Sequence, residues 1–123
     1  MLPSVRELLS DSAVSLHQLD GIAFGAGPGA FTGLRLACAA AQGLAMGAGL
    51  GVVAVCSLEA LSLQGESDSV LVATDARMGE IYTAAYEMIG GVPTLAGPLS
   101  CIPPQAFEVP QQRREWFGVG SAF

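Results

Sequence analysis

The sequence predicts an α/β protein in which alternating helices and strands are followed by antiparallel strands. Before residue 64, apolar residues recur at helical spacing between short apolar runs, and after it the runs are short and strand-like. A polar, turn-rich break at 65–68 separates the two patterns. Helix–strand alternation favours parallel strands, and short turns between strands favour antiparallel pairing. We therefore expect a first lobe over 1–64 and the start of a second lobe over 65–123.

The predicted first lobe opens with a short amphipathic helix. Its apolar side chains recur at helical spacing and form one stripe, made of Leu2, Val5, Leu8 and Leu9. Pro3 suits the first turn of a helix, where an N–H would have no intrahelical partner. A capped turn over 15–20 and a short apolar strand over 21–24 follow. The segment 25–29 holds three glycines and a proline, so it is predicted to be a loop.

A second helix is predicted over 30–46, with Gly47 and Gly49 supplying its stop. Its small residues are spaced by four in two rows, Ala37, Ala41, Ala45 and Ala39, Gly43, Gly47. Small residues at this spacing let another helix approach closely. Because nearly every face is apolar or small, we expect a partner polypeptide to cover this helix in addition to its own sheet. Packing against the chain's own sheet alone is the alternative.

Strands dominate the rest of the predicted fold. A valine-rich run predicts a strand over 51–56, and Ser57 is expected to cap a short helix over 58–64. Beyond the break, strands are predicted at 70–74, 81–86, 95–102 and 116–119. The connections between them are short and contain glycine, which indicates hairpin pairing.

Composition excludes several classes of protein. Hydrophobic residues make up 51% of the chain and charged residues only 13%, which is atypical of a disordered chain. The formal charge of −6 makes direct binding to nucleic-acid phosphates unfavourable. The lone His17 lies near no cysteine pair, so no zinc or other metal site is expected. The odd cysteine count without a CxxC motif suits reduced thiols in a cytoplasmic protein.

No membrane segment or signal peptide is expected. The uncharged stretch 36–56 is about long enough to span a bilayer, but its closely spaced glycines would interrupt a spanning helix. We interpret it as a buried helix, a turn and a buried strand. Charged residues interrupt the N-terminus too early for a signal peptide.

The glycine loop admits more than one interpretation. A strand, a glycine-rich loop and a helix N-terminus in succession can hold an anion, which makes Gly27 and Gly29 weak candidates for cofactor binding. Gly25, Gly27 and Ala30 match a dinucleotide-binding pattern, but no acidic residue follows the next strand to hold a ribose. A P-loop is excluded because its lysine is absent. The glycines can also serve only a sharp turn and close packing.

Several segments resemble one known family, the TsaB (YeaZ) family. The resemblance lies in GPGAFTGLR at 27–35, AQGLAMGAG at 41–49, VAVCSLEAL at 53–61, DARMGEIY at 75–82 and FGVGSAF at 117–123. Ala30 stands where the family usually has serine. The acidic strands that open the family's fold have no counterpart here, and the family continues beyond residue 123, so we expect a chain truncated at both ends.

The resemblance implies a fold and a role. The fold would be that of actin/hexokinase-like ATPases, built from ribonuclease-H-like lobes and incomplete here. The role would be that of a cytoplasmic, non-catalytic scaffold that dimerises through first-lobe helices and supports tRNA N6-threonylcarbamoyladenosine formation. Its partners would be a TsaD-like transferase subunit, which carries the metal, and a TsaE-like ATPase. No cofactor, membrane or direct nucleic-acid contact is expected of the chain itself. A glycoprotease or other hydrolase is disfavoured, since His17 has no metal-binding or nucleophilic partner.

Periodicity and resemblance together nominate a partner interface. Its predicted residues are Val5, Leu8, Leu9, Phe31, Leu34, Arg35 and Cys38. Arg35 could instead form an ion pair within the chain. Asp75 is a weak candidate for facing nucleotide phosphates through backbone and metal, as an independent nucleotide-binding phosphotransfer module would require. The alternative is a hairpin turn in which the Asp75 carboxylate accepts backbone N–H groups.

Overall fold

The computed structural model describes residues 1–113 and 115–123. The elements are α1 (Leu2–Asp11), β1 (Gly21–Gly27), α2 (Phe31–Ala48), β2 (Gly51–Cys56), α3 (Ser57–Ser62), β3 (Ser69–Arg77), β4 (Glu80–Ile89), β5 (Val92–Leu95), β6 (Ser100–Ile102) and β7 (Phe117–Val119), with 3₁₀ turns at Leu16–Gln18 and Pro104–Ala106. The chain divides into two compact units, a first unit over Met1–Val55 and a second unit over Cys56–Phe123.

The first unit contains α1, a two-stranded sheet of β1 and β2, and α2 packed on β1. The first residues of the two strands, Gly21 and Gly51, lie side by side, which is the arrangement of parallel strands. α2 ends at Gly49, whose φ of 67° gives the left-handed C-cap that favours glycine. The uncharged stretch 36–56 therefore folds as helix, turn and strand, as predicted. The predicted burial is wrong for this chain, because only Ala41 and Ala45 of α2 are buried and most of β2 is exposed. Within the described ranges, no helix is both long and apolar enough to cross a membrane.

The second unit is built on a five-stranded sheet. The strand order is β5-β4-β3-β7, and β6 also pairs with β4. β3 and β4 form an antiparallel hairpin in which Val70 lies opposite Tyr86, whereas β7 runs parallel to β3. α3 packs on one face of this sheet. On the other face, Leu71 and Ala85 line a cavity together with residues of the connections before and after β6. The predicted antiparallel pairing is confirmed.

The core of the second unit lies between α3 and the sheet. It is formed by Leu58, Val70, Val72, Ala84, Tyr86 and Val119. Because the fully buried Leu58 belongs to this core, α3 groups with the second unit, so the two units divide earlier than the boundary expected at residue 64. The lobe boundary at residue 64 in the complete fold stays a prediction.

Smaller differences from the predicted elements have local causes. β3 and β4 are longer than the predicted 70–74 and 81–86, because their ladder continues through a bulge between Asp75 and Arg77. The predicted strand over 95–102 is two strands, β5 and β6, that pair with different parts of β4. Ser57 is not a cap, since the N-cap of α3 is Cys56.

Candidate partner interface

α2 has two chemically different faces. Its inner face packs toward β1 and includes Leu34 and the buried Ala41 and Ala45. The opposite side, which we call the outer face of α2, consists of Phe31, Arg35, Leu36, Ala39, Gly43, Met46 and Gly47, all of them exposed. Large apolar side chains stand free there, with exposures of 71% at Phe31, 55% at Leu36 and 85% at Met46. An exposed apolar patch of this kind makes the outer face of α2 a candidate interaction surface.

Small residues lie among these large side chains. A Cβ added at Gly43 or at Gly47 would meet nothing within 4 Å. Ala39 lies one helical turn before Gly43, so the three form a shallow track along the outer face. Such a track lets a second helix approach closely, while Phe31, Leu36 and Met46 supply apolar contact area beside it.

A cation–π contact organises the N-terminal end of the outer face. The guanidinium carbon of Arg35 lies 4.6 Å from the centre of the Phe31 ring. This spacing is within the range of favourable cation–π geometry. The ion pair considered for Arg35 is not found among residues 1–113 and 115–123, where Arg113 and Glu87 form a salt bridge at 2.9 Å. Arg35 therefore presents its charge beside an exposed aromatic ring.

α1 contributes an amphipathic surface with no buried residue. Val5 and Leu9 are half-buried, while Leu2 and Leu8 on the same stripe are exposed. The helix has few contacts with the other helices and strands. Its apolar stripe is thus largely uncovered within the first unit.

Leu34 and Cys38 belong to the inner face of α2 instead. A Cβ built at Gly27 would lie 2.9 Å from Leu34 Cδ1, so Leu34 packs against the glycine loop. Cys38 is half-buried, and its sulfur accepts a hydrogen bond from Gln42 Nε2 at 3.6 Å. Both residues are partly occupied within their own unit, which makes them weaker interface candidates than Phe31 and Arg35.

The glycine loop has a structural explanation. Gly27 is buried with a φ of 97°, and Leu34 fills the space that a side chain would need. The N-cap of α2 is Ala30, which offers no side-chain hydrogen bond to the first helical turn. The observed packing favours the structural interpretation of Gly27 over a cofactor site. Leu34 also lies near Gly29, at 3.8 Å from an added Cβ.

Asp75 lies near the end of β3 and stabilises the turn that follows. Its carboxylate accepts a hydrogen bond from the Arg77 N–H at 2.8 Å, and its own N–H donates to Ser121 Oγ at 3.1 Å. Arg77 and Met78 have positive φ values of 62° and 54°. This is the hairpin-turn arrangement considered from the sequence. Within residues 1–113 and 115–123, no group of three His, Cys, Asp or Glu side chains could hold a metal ion.

Two titratable groups of the second unit are perturbed. Burial, followed by the hydrogen bond with Cys56 at 3.8 Å, raises the pKa of the Tyr86 phenol well above its ordinary value. Loss of hydration and then the neighbouring Glu80 carboxylate raise the pKa of the Cys101 thiol. Both shifts keep the neutral forms at neutral pH, so neither group is an activated nucleophile.

The fold and these surfaces define an α/β protein that presents an exposed apolar helix, and its match to solved structures places it in the actin-like ATPase class. Two solved structures, described as YeaZ from Pseudomonas aeruginosa and as an uncharacterized protein with similarity to peptidase YEAZ from that organism, both superpose on it with a TM-score of 0.88. They are 42% and 41% identical to the chain in sequence, and the match covers 95% of this chain and 57% of theirs.

Sequence comparison also identifies TsaB and YeaZ proteins as relatives of the chain. The model of the family described as "TsaD: tRNA N6-adenosine threonylcarbamoyltransferase" matches residues 1–112. The tRNA threonylcarbamoyladenosine biosynthesis protein TsaB of Haemophilus influenzae is 43% identical over 67% of this chain and 36% of its own length. Its Escherichia coli counterpart is 44% identical over 71% of this chain and 39% of its own length. The chain belongs to the TsaB (YeaZ) family, as the sequence motifs predicted, and spans well under half the length of these relatives.

Sequence reasoning missed part of the outer face. It selected Leu34 and Cys38 but not Leu36, Gly43 or Met46. The signal was available, because Leu34, Ala41 and Ala45 mark the face that packs inward, and the residues opposite them on a helical wheel are the exposed ones.

Proposed function

We propose that this chain is a non-catalytic scaffold and dimerisation subunit that supports tRNA N6-threonylcarbamoyladenosine formation in the cytoplasm. The main support for this proposal is the outer face of α2, where large exposed apolar side chains lie beside a track of small residues. The assignment to threonylcarbamoyladenosine biosynthesis is based on the names of the TsaB relatives. The partner is a TsaD-like transferase subunit, with a TsaE-like ATPase in the same assembly and a homodimer forming in isolation.

The charge distribution supports an indirect role in tRNA modification. A chain with a formal charge of −6 repels phosphate backbones, so contact with tRNA falls to the partner. The interface we propose combines the outer face of α2 with the apolar stripe of α1. Burying Phe31, Leu36 and Met46 against a partner would remove apolar surface that is exposed in the isolated chain.

Co-purification with the TsaD-like protein of the same organism tests this proposal. Leu36→Asp places a carboxylate in the proposed interface, at a position already exposed in the isolated chain. Burying that carboxylate costs about 3 kcal/mol, so we expect about a 100-fold loss of affinity. The matched control is Leu63→Asp, because Leu63 is 61% exposed and lies in the second unit. It should bind like the wild type.

Two results would count against the proposal. If Leu36→Asp and Leu63→Asp bind the partner equally well, the interface is elsewhere. If calorimetry shows that the unmodified chain alone binds ATP and magnesium tightly, the result favours an independent nucleotide-binding phosphotransfer module over the scaffold function.

A further inference from the structure

A cavity of about 420 Å³ lies in the second unit, on the face of the sheet opposite α3. It forms where the ladder along one edge of β4 is interrupted between β5 and β6. Residues 96–99 lie opposite only residues 84–85 of β4, because β5 pairs with β4 as far as Tyr86 and β6 pairs with it from Thr83 onward. The extra residues form a bulge, which disrupts the ladder and re-aims side chains. We call the space the bulge cavity.

The bulge cavity contains a nearly buried hydroxyl group with a free hydrogen-bonding capacity. Thr83 is 8% exposed, and within residues 1–113 and 115–123 its hydroxyl forms no hydrogen bond. In the same part of the chain every fully buried side-chain oxygen or nitrogen has a partner. The Thr83 oxygen therefore still reaches accessible space, and the space that Thr83 lines is the bulge cavity.

A second hydroxyl lies beside the first. Ser100 of β6 is directly opposite Thr83 of β4, so the two side chains share one face of the sheet with their Cβ atoms roughly 5 Å apart. Ser100 is half-buried and also lines the bulge cavity. Each hydroxyl can donate one hydrogen bond and accept others, so together they match a group that has both a donor and an acceptor.

The walls of the bulge cavity are apolar and held in place by hydrogen bonds. They include Leu71, Pro98, Ile102, Phe107 and Pro110. The Ala96 N–H donates to the Ala85 carbonyl oxygen at 2.8 Å, and the Trp116 indole N–H donates to the Pro110 carbonyl oxygen at 2.9 Å. A cavity with preformed walls loses less conformational entropy when a ligand binds. Its volume and its mixture of apolar walls with a few polar groups are those of small-ligand sites.

The charges around the bulge cavity favour an uncharged ligand. Among its lining residues that the structure describes, the charge is that of the exposed Glu108 carboxylate. An anion would be repelled by Glu108 and by the formal charge of −6. A cation would pair with Glu108 only in contact with water, where such pairs contribute little. A charged group beside Thr83 would lose hydration without gaining a counter-charge.

We propose that the bulge cavity binds an uncharged amide carried on an apolar group. The Thr83 hydroxyl donates to the amide oxygen, the amide N–H donates to the Ser100 hydroxyl oxygen, and the apolar group packs against Phe107 and the two prolines. A free small molecule and a segment of another polypeptide can both present this chemistry. The proposal goes beyond the scaffold function, because it concerns a site formed by the second unit alone.

A titration of the whole chain, followed by ¹H–¹⁵N NMR, tests the proposal with four probes. 3-Phenylpropanamide represents the free amide, and N-acetylphenylalaninamide represents the polypeptide. 3-Phenylpropanoate and 3-phenylpropylammonium are charged analogues of similar shape. We expect at least one amide to give saturable shifts at residues 83–85 and 96–112, with a dissociation constant on the order of 1 mM. The charged analogues should bind at least about tenfold more weakly. The amide that saturates at the lower concentration identifies the source.

Hydroxyl-deleting variants separate a specific site from general apolar adsorption. Thr83→Val replaces the hydroxyl with a methyl group of similar size and should weaken binding of the preferred amide about tenfold. The matched control is Thr74→Val, the same change on the opposite face of the sheet, where Thr74 pairs with Tyr82. It should bind like the wild type. Ser100→Ala removes the second hydroxyl at a half-buried position and should weaken the amide about threefold, which keeps the test decisive even if Thr83→Val does not fold.

Three outcomes would overturn the proposal. They are no saturable shift with either amide, binding of a charged analogue as tight as that of the preferred amide, or no difference in amide affinity between the two hydroxyl-deleting variants and Thr74→Val. None of these outcomes bears on co-purification through α2, so the two proposals fail independently.

Discussion

The two units bury very different amounts of apolar side chain. In the first unit only Gly27, Ala41 and Ala45 are buried, so no large side chain is enclosed there. In the second unit Leu58, Val70, Val72 and Tyr86 are fully enclosed. A two-stranded sheet by itself is marginally stable, whereas a sheet of three or more strands with an apolar face packed against a helix supports itself. We infer that the second unit carries most of the stability of the isolated chain, and that the first unit depends on contacts with other polypeptide.

The largest expected effect tests the enclosed core. Leu58→Ala removes a fully buried side chain and should lower the free energy of unfolding of the second unit by about 3 kcal/mol. The chain's single tryptophan, Trp116, lies in the second unit and reports its unfolding in denaturant. Leu63→Ala is the control, since that leucine is exposed and should change stability by less than about 0.5 kcal/mol. Equal effects of both changes would mean that α3 does not support the core.

Gly120→Ala should have the next largest effect. The left-handed φ of Gly120 and the carbonyl group of Ala73 leave no space for a methyl group, so we expect a loss of about 2 kcal/mol in the same assay. Gly97→Ala is the matched control, because an added Cβ there meets nothing within 4 Å and its φ is ordinary. If the denaturant concentration at the midpoint of unfolding is the same for Gly120→Ala and the wild type, the turn after β7 can rearrange to accept a methyl group.

Alkaline pH should weaken the second unit through Tyr86. Its pKa is raised in the folded state, so above the ordinary tyrosine pKa of about 10 the unfolded chain loses a proton that the folded chain retains. Stability therefore falls with rising pH, by up to about 1.4 kcal/mol per pH unit. Tyr86→Phe should remove this slope, and Tyr82→Phe should preserve it. If the free energy of unfolding falls with pH equally steeply in the two variants, groups other than Tyr86 cause the loss of stability at alkaline pH.

The smallest expected effect concerns the first unit. Gly43→Ala adds a methyl group that meets nothing within 4 Å and should stabilise α2 in the isolated chain by about 0.8 kcal/mol. The reverse change, Ala39→Gly, should destabilise α2 by a similar amount. Helical ellipticity and hydrogen exchange of α2 would record both. If the hydrogen-exchange rates of the α2 amides are the same in both variants and the wild type, helix propensity does not limit the stability of the first unit.

The order of helices and strands was predictable because local patterns set it. Spaced leucines predicted α1, small residues between glycines predicted α2, and the short glycine turns predicted the β3–β4 hairpin. The family was predictable too, since motifs such as GPGAFTGLR are specific in residue type and spacing. The outer face of α2 was predicted only in part. Because α2 has apolar or small residues on nearly every side, its sequence does not show which side packs against the sheet.

The sequence alone therefore determined the elements, the antiparallel hairpin and the family, since each depends on residues near one another in the chain. Only the tertiary structure decided that α3 joins the second unit and that β7 runs parallel to β3. The same holds for the side of α2 that stays exposed. These features depend on contacts between distant segments, which spacing along the sequence does not encode.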